Sequence, residues 1–343
     1  MSRLDYVGFV TSKLQNVAAL VWVLLLLCLS HCAGTVDPRA QLTPAQPYQR
    51  AEARPSSPAR AEPEAAEPVA KKAETRGLFY RTTSPTAVVY LLGSIHVGTQ
   101  QLYPMRDAIE EAFSEADLAV VEVRLDDASA QTLAGPLLQA MAYPPGESLD
   151  EHLTEETRSA LSDYVAEANL PKKMFERLRP WAAAVLVTTL ELGKLGLSAS
   201  EGMDHYFQQR AGEAHKKIRA LETPEEQLGL LSGIEARVQD LMLRESLERR
   251  GELEETMDAA LSAWKRGDAQ ALVDSMLAPM RVPDYLPVFE RLFLERNRRM
   301  ATVILNLLEG KETAFVVVGS GHVVGRGGIV DLLRRAGYTV EQL

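Results

Sequence analysis

The chain is 343 residues long, 46% apolar and 24% charged, an ordinary globular composition with room for one large domain or two small ones. Its formal net charge of −10 argues against a general affinity for nucleic acid. Both cysteines, Cys28 and Cys32, lie near the N-terminus, so the globular part can hold no disulfide, no thiolate metal cluster and no cysteine nucleophile.

Residues 17–30 form an apolar run, shorter than the about 20 residues that span a bilayer. Behind Arg3 and Lys13 and before Ala33-Gly34, the run reads as the core of a signal peptide over 1–34. Two alternatives stay open. Val7–Val10 extends the apolar stretch, as a retained membrane anchor would need. Leu29-Ser-His-Cys32 approaches a lipid-attachment site, although His31 replaces the small residue expected there. Residues 35–76 are rich in Pro, Ala and Glu and cannot bury enough apolar surface to offset chain entropy. They read as a disordered linker, which argues for export to the periplasm or cell envelope.

The folded domain is expected over 77–343. Strands at 78–83 and 87–92 make a hairpin, and Gly93-Ser-Ile-His96 follows. A helix opens at Pro104, and a strand from Leu118 ends at Glu122, a tight β-α-β order that implies parallel pairing. The middle is helical. Helices are expected over 149–169, over 174–193 and from Gly202 through Asp204, and a short strand ends at Glu222. A long helical stretch opens at Pro224, breaks at Arg249–Gly251 and turns at Gly267-Asp268. Helices then resume to Leu308. Ala314–Val318 is a buried strand stopping at Gly319-Ser-Gly-His322, a short helix spans 328–336, and an edge strand closes the chain. The fold class is α/β: a central mixed, mostly parallel sheet with a large helical insertion between the early and late strands.

Four strands thus end in His96, Glu122, Glu222 and His322. Ligands of open parallel sheets bind at the carboxyl ends of the strands. Two imidazoles and one or two carboxylates without thiolate suit Zn²⁺, Mn²⁺, Fe²⁺ or Co²⁺, with positions left for water or substrate. Such a metal acidifies water and polarises a carbonyl, which is hydrolase chemistry. His96, His322 and Glu122 are the candidate metal ligands. Gly93, Ser94, Gly319, Ser320 and Gly321, in the two turns, are candidates for contact with a bound cofactor. A carboxylate inside an apolar run needs a cation, a metal or donors, which singles out Glu122. Glu222 has a second reading, as a cap on the helix opening at Pro224. Arg296 has one too, as a surface cation in Arg296-Asn-Arg-Arg299. His152, His205 and His215 read as solvent-facing. Trp181, Trp264 and Tyr285 read as core, with a lid as the alternative. No H-E-x-x-H, G-x-S-x-G or phosphate loop occurs.

On these residues the chain resembles the TraB/PrgY/GumN family, which includes the Tiki proteases and is related in fold to ChaN-type haem binders and erythromycin esterase-like proteins. The resemblance rests on Leu92–Gly98, Val121-Glu122, Gly202–Phe207, Leu221–Leu228, Arg296–Met300 and Val318–Gly325. It implies a metal-dependent site in which His96, His322 and Glu122 are joined by Arg296 and Asn297, with Asp204 and Glu222 beside them. The expected function is an exported metal-dependent hydrolase, a peptidase in the first place, acting on a peptide or small molecule. The alternative is a non-catalytic envelope protein binding haem or peptide.

Overall fold

The computed structural model describes residues 76–124 and 135–343. The proposed signal peptide or anchor, its Cys32 and almost all of the linker lie outside the described residues. No helix among the described residues is long and apolar enough to cross a membrane.

Six strands form one sheet in the order β4-β3-β5-β2-β1-β6: β1 is Phe79–Thr83, β2 Val88–Ser94, β3 Leu118–Val121, β4 Lys217–Ala220, β5 Thr313–Gly319 and β6 Val340–Gln342. β4, β3, β5 and β2 run parallel, β1 is antiparallel to β2, and β6 is antiparallel to β1. The central strands LAVV and TAFVVVG are buried along almost their whole length, as parallel strands covered on both faces must be. The longer helices are α1 Asp107–Glu115, α2 Glu155–Glu167, α3 Pro180–Lys194, α4 Met203–Glu213, α5 Pro224–Ser232, α6 Ala236–Glu248, α7 Leu253–Arg266, α8 Glu295–Leu308 and α9 Ile329–Arg335; α1 and α4 pack on β5, α4 also on β3, and α8 on β2, while α2 and α3 pack on α6.

The hairpin and the parallel pairing are as the sequence implies, with one correction. β2 and β3 are parallel but do not touch, because β5 lies between them and pairs with both. The chain returns from 224–308 to place its last apolar strand in the middle of the sheet. Each central strand thereby buries both faces, and Ser94 falls in register with Gly319.

Several helix bounds also differ from expectation. α1 starts at Asp107 with Arg106 as N-cap, three residues after Pro104. The stretches 149–169 and 174–193 each open with a short 3-10 turn before α2 and α3. The long helix from Pro224 breaks first at Gly233, where Arg291 donates to the carbonyls of Gly229 (3.0 Å) and Gly233 (3.0 Å). Those carbonyls end a helix and need donors. Trp181, Trp264 and Tyr285 are core residues, each no more than 2% exposed. Trp264 also donates to the carbonyl of Gly93 (2.6 Å), tying α7 to the end of β2.

Candidate functional site

β4, β3, β5 and β2 are neighbours, so their carboxyl ends form one row carrying Glu222, Glu122, His322 and His96. At the β2 corner, Met203 N donates to Ile95 O (3.0 Å) and brings the first turn of α4 against the turn after β2. Only glycine fits at 202, where a Cβ would lie 2.2 Å from the His96 carbonyl oxygen. That approach seats Asp204 with Oδ2 2.6 Å from His96 Nδ1, an ion-pair contact. Ser94 Oγ donates to Asp204 Oδ1 (2.9 Å), and Ser320 Oγ donates to Ser94 O (2.9 Å). The other ring nitrogen, Nε2, lies against Gly319, where a Cβ would stand 2.4 Å from it. Burial pulls the His96 pKa down, but the charge and hydrogen bonding of Asp204, with Glu122 behind them, raise it above the usual histidine value.

Glu122, one residue past β3, accepts from Arg296 Nη2 at Oε1. Gln227 Nε2 donates to the same oxygen (3.2 Å), and Gly319 N–H donates to Oε2 (3.2 Å). Burial would raise its pKa. Arg296, the two histidines and the Gly319 amide outweigh that and hold the carboxyl well below the carboxylate range. Glu222 receives Arg296 Nε at 2.9 and 3.0 Å and Nη2 at 2.6 Å. Arg299 adds an outer contact at 3.3 Å. Glu222 is therefore a partner of Arg296 and not a helix cap. Thr223 caps α5, in a capping box with Glu226. Arg296 is 3% exposed, which overturns the surface-cation reading. It occupies the first turn of α8, directly after a π-helical turn at Glu290–Leu294. Its Nη1 donates to Leu292 O (3.2 Å).

His322 lies in the helical turn Ser320–Val323 after β5. Its Nδ1 is 2.6 Å from Asn297 Oδ1, and Asn297 Nδ2 donates to Gly327 O (2.9 Å). The second bond fixes which way the amide points, so Oδ1 must accept and Nδ1 must carry the proton. Nε2 is left with its lone pair, 3.7 Å from Glu122 Oε1. Burial and the Arg296 charge outweigh the carboxylates and push the His322 pKa down to about 4. The ring is neutral at neutral pH. Phe293, from the π-helical turn, packs on it at 5.3 Å between ring centroids.

His96, Glu122, Asp204, Glu222, Arg296, Asn297 and His322 are thus gathered in one buried network. Of the turn residues, Gly319 and Ser320 touch it directly, Ser94 joins through Asp204, and Gly93 packs under Ser320, where a Cβ would lie 3.1 Å from Oγ. Gly321 is buried beside His322. His152 and His215 are exposed and His205 is half-buried, all away from these contacts. Gln227 and Phe293 carried no sequence assignment. Gln227 is 1% exposed and bridges both acids, donating also to Glu222 Oε2 (3.4 Å), while its own Oε1 has no hydrogen-bond partner.

The imidazoles suit a borderline divalent cation. Each has Nδ1 engaged by an oxygen acceptor, the arrangement that orients ligating histidines; Nε2 of His322 is turned towards Glu122, while Nε2 of His96 packs against Gly319. Glu122 is different, because Arg296 already holds its Oε1. Among the described residues no three His, Cys, Asp or Glu side chains are grouped to hold a metal ion.

The chain belongs to the TraB/PrgY/gumN family, whose model matches residues 78–342. It is 25% identical over 245 residues to the uncharacterized protein YbaP of Escherichia coli, covering 71% of this chain and 87% of YbaP. It is 26% identical over 303 residues to metalloprotease TIKI1 of Danio rerio, covering 74% of this chain and 60% of that protein. With metalloprotease TIKI2 of Xenopus tropicalis the identity is 27% over 322 residues, covering 79% of this chain and 61% of the relative. No solved structure matches.

Proposed function

We propose that this chain is a metal-dependent hydrolase, and within that class a peptidase, with its reacting centre at His96, Glu122 and His322. The observation that carries the reading is the pair of histidines whose Nδ1 atoms are held by Asp204 and Asn297 at neighbouring strand ends, with His322 Nε2 3.7 Å from the ionised Glu122. The Tiki relatives, named as metalloproteases, support it. His96, His322 and Glu122 would hold the ion, which is Mn²⁺, Co²⁺, Zn²⁺ or Fe²⁺ by the chemistry of these donors. When bound there, it supplies Lewis-acid polarisation of the scissile carbonyl and an acidified water.

The chain's own groups set the conditions. Arg296 keeps Glu122 ionised, which suits a ligand and makes it a weak base. Asn297 keeps the His322 proton on Nδ1 and off the reacting side. Asp204 does the same for His96, and Ser94 fixes Asp204 in turn. Burial of the whole network excludes water from the charges that act on the transition state. A second reading has one observation in its favour: Arg296 already neutralises Glu122, so His96, with its raised pKa, can act as a general base without a metal.

We place the protein outside the cytoplasm, delivered by residues 17–30, on the strength of that apolar run and the Pro-rich stretch behind it. Mass spectrometry of the mature N-terminus separates cleavage, anchor and lipid. For the activity, purified protein is incubated with a defined peptide mixture, with Mn²⁺, Co²⁺ or Zn²⁺ or with chelator. Metal-stimulated cleavage lost in both His96→Ala and His322→Ala is expected. Cleavage that survives chelation favours the metal-free base. Retention of peptide without cleavage overturns the hydrolase in favour of a binding protein.

A further inference from the structure

In the buried network every carboxylate and amide oxygen but one is engaged. The four oxygens of Glu122 and Glu222 accept from Arg296, Arg299, Gln227 and the Gly319 amide. Asp204 Oδ1 accepts from Ser94 Oγ, and Oδ2 faces His96 Nδ1 at 2.6 Å. Asn297 Oδ1 faces His322 Nδ1. The exception is Gln227 Oε1, which is buried and has no hydrogen-bond partner among the described residues. A buried carbonyl oxygen left unpaired costs free energy, so this atom calls for a bound donor.

The amide cannot turn over to relieve it. Nε2 donates to Glu122 Oε1 (3.2 Å) and Glu222 Oε2 (3.4 Å), and reversal would set Oε1 against two acceptors. Arg296 Nη2 donates to the same two oxygens and carries the charge that neutralises them. What the amide adds is an oxygen held in a fixed place. The nitrogen and oxygen of one amide are about 2.2 Å apart, so Oε1 lies within about 5.5 Å of Glu122 Oε1. Two hydrogen bonds of about 2.8 Å through one water span that distance. His322 Nε2 approaches the same Glu122 oxygen, at 3.7 Å. Because Gln227 Oε1 is closed to bulk solvent, the donor that suits it is a single water, not a length of peptide.

We propose that Gln227 belongs to the reacting centre and that its Oε1 holds the water that attacks the substrate. The amide oxygen takes no proton. It fixes one O–H of the water and so fixes where the lone pair points, the role of a water-positioning residue. This rests on the hydrolase reading of the strand-end network and adds the group that orients the nucleophile.

The first test needs no turnover. The full chain is labelled with ¹⁵N,¹³C-glutamine, and the Gln227 side-chain amide is assigned by its loss in Gln227→Met. A water-selected ROE experiment should show a cross-peak between the Gln227 amide protons and a long-lived water, with the sign that separates it from exchange. Gln239 is the internal control. It is also buried, but its Nε2 donates to Ile234 O (2.7 Å) and its Oε1 accepts from Trp181 N (3.5 Å), so it should show none. A side chain that only braces the two acids gives no water contact, and that result overturns the proposal. The second test is kinetic, on a peptide that the native chain cleaves. Gln227→Met should lower kcat by about 100-fold with KM little changed. An unchanged kcat, or a loss carried by KM alone, overturns the proposal. A water at Gln227 in a chain that cleaves nothing would sink only the hydrolase reading. Cleavage with no water at Gln227 would sink only the role of Gln227.

Discussion

Asn297 controls the protonation of His322, and Asn297→Asp tests this without changing shape. In the native chain Asn297 Oδ1 sits 2.6 Å from His322 Nδ1, and the ring is held neutral with a pKa of about 4 by burial and by Arg296. The substitution puts a full negative charge at the same point. At an effective dielectric near 20, unit charges about 4 Å apart interact by about 4 kcal/mol. That is roughly three pH units on the imidazole, so the His322 pKa should rise to around neutrality and Nε2 should be protonated for half the molecules there. The sign for stability follows. In the native chain the folded pKa lies below the unfolded value of 6.5, so the unfolded state binds more protons between those limits. Stability is then lost as the pH falls through that window, by roughly 3 kcal/mol. Asn297→Asp should remove this loss. The assay is a histidine ¹⁵N titration of both proteins, with denaturant unfolding at pH 7 and pH 5. If native His322 titrates near 6.5, or carries its proton on Nε2, the reasoning is wrong.

Two further substitutions probe the same network. Arg296→Leu leaves two buried carboxylates facing each other without their shared cation. It should cost about 3–5 kcal/mol, read as a lowered urea midpoint; a change under about 1 kcal/mol would mean that these acids are solvated. Gly319→Ala puts a methyl group 2.4 Å from His96 Nε2. The ring must move, so the His96 signals and any metal affinity should change while circular dichroism stays native. An unchanged His96 environment would contradict the close approach of β5 to β2.

The row of strand ends was legible in the sequence because parallel strands deliver whatever follows them to one edge. Gly93-Ser-Ile-His96 and Gly319-Ser-Gly-His322 each follow a run of apolar residues, and Glu122 is an acid where only a partnered acid survives. The position of β5 between β2 and β3 was not legible. Local order reports that strands are parallel, and only long-range packing decides which of them touch. Gln227 was hidden for a related reason. It sits one helical turn into α5 and reaches Glu122 only because β3 and β4 pair. Arg296 was ambiguous in Arg296-Asn-Arg-Arg299, since a run of like charges does not disclose which member points inward. The break at Gly233 needed Arg291, far along the chain, to supply its donors.

The central claim is that His96 and His322 belong to one centre. Visible absorption on titration with Co²⁺ tests it most directly, because the ligand-field bands report nitrogen ligation in the absence of turnover. One equivalent of Co²⁺ should give a single spectrum, lost in His96→Ala and equally in His322→Ala, and kept in His205→Ala. A spectrum that survives either of the first two substitutions would mean that the two strand ends do not share a metal.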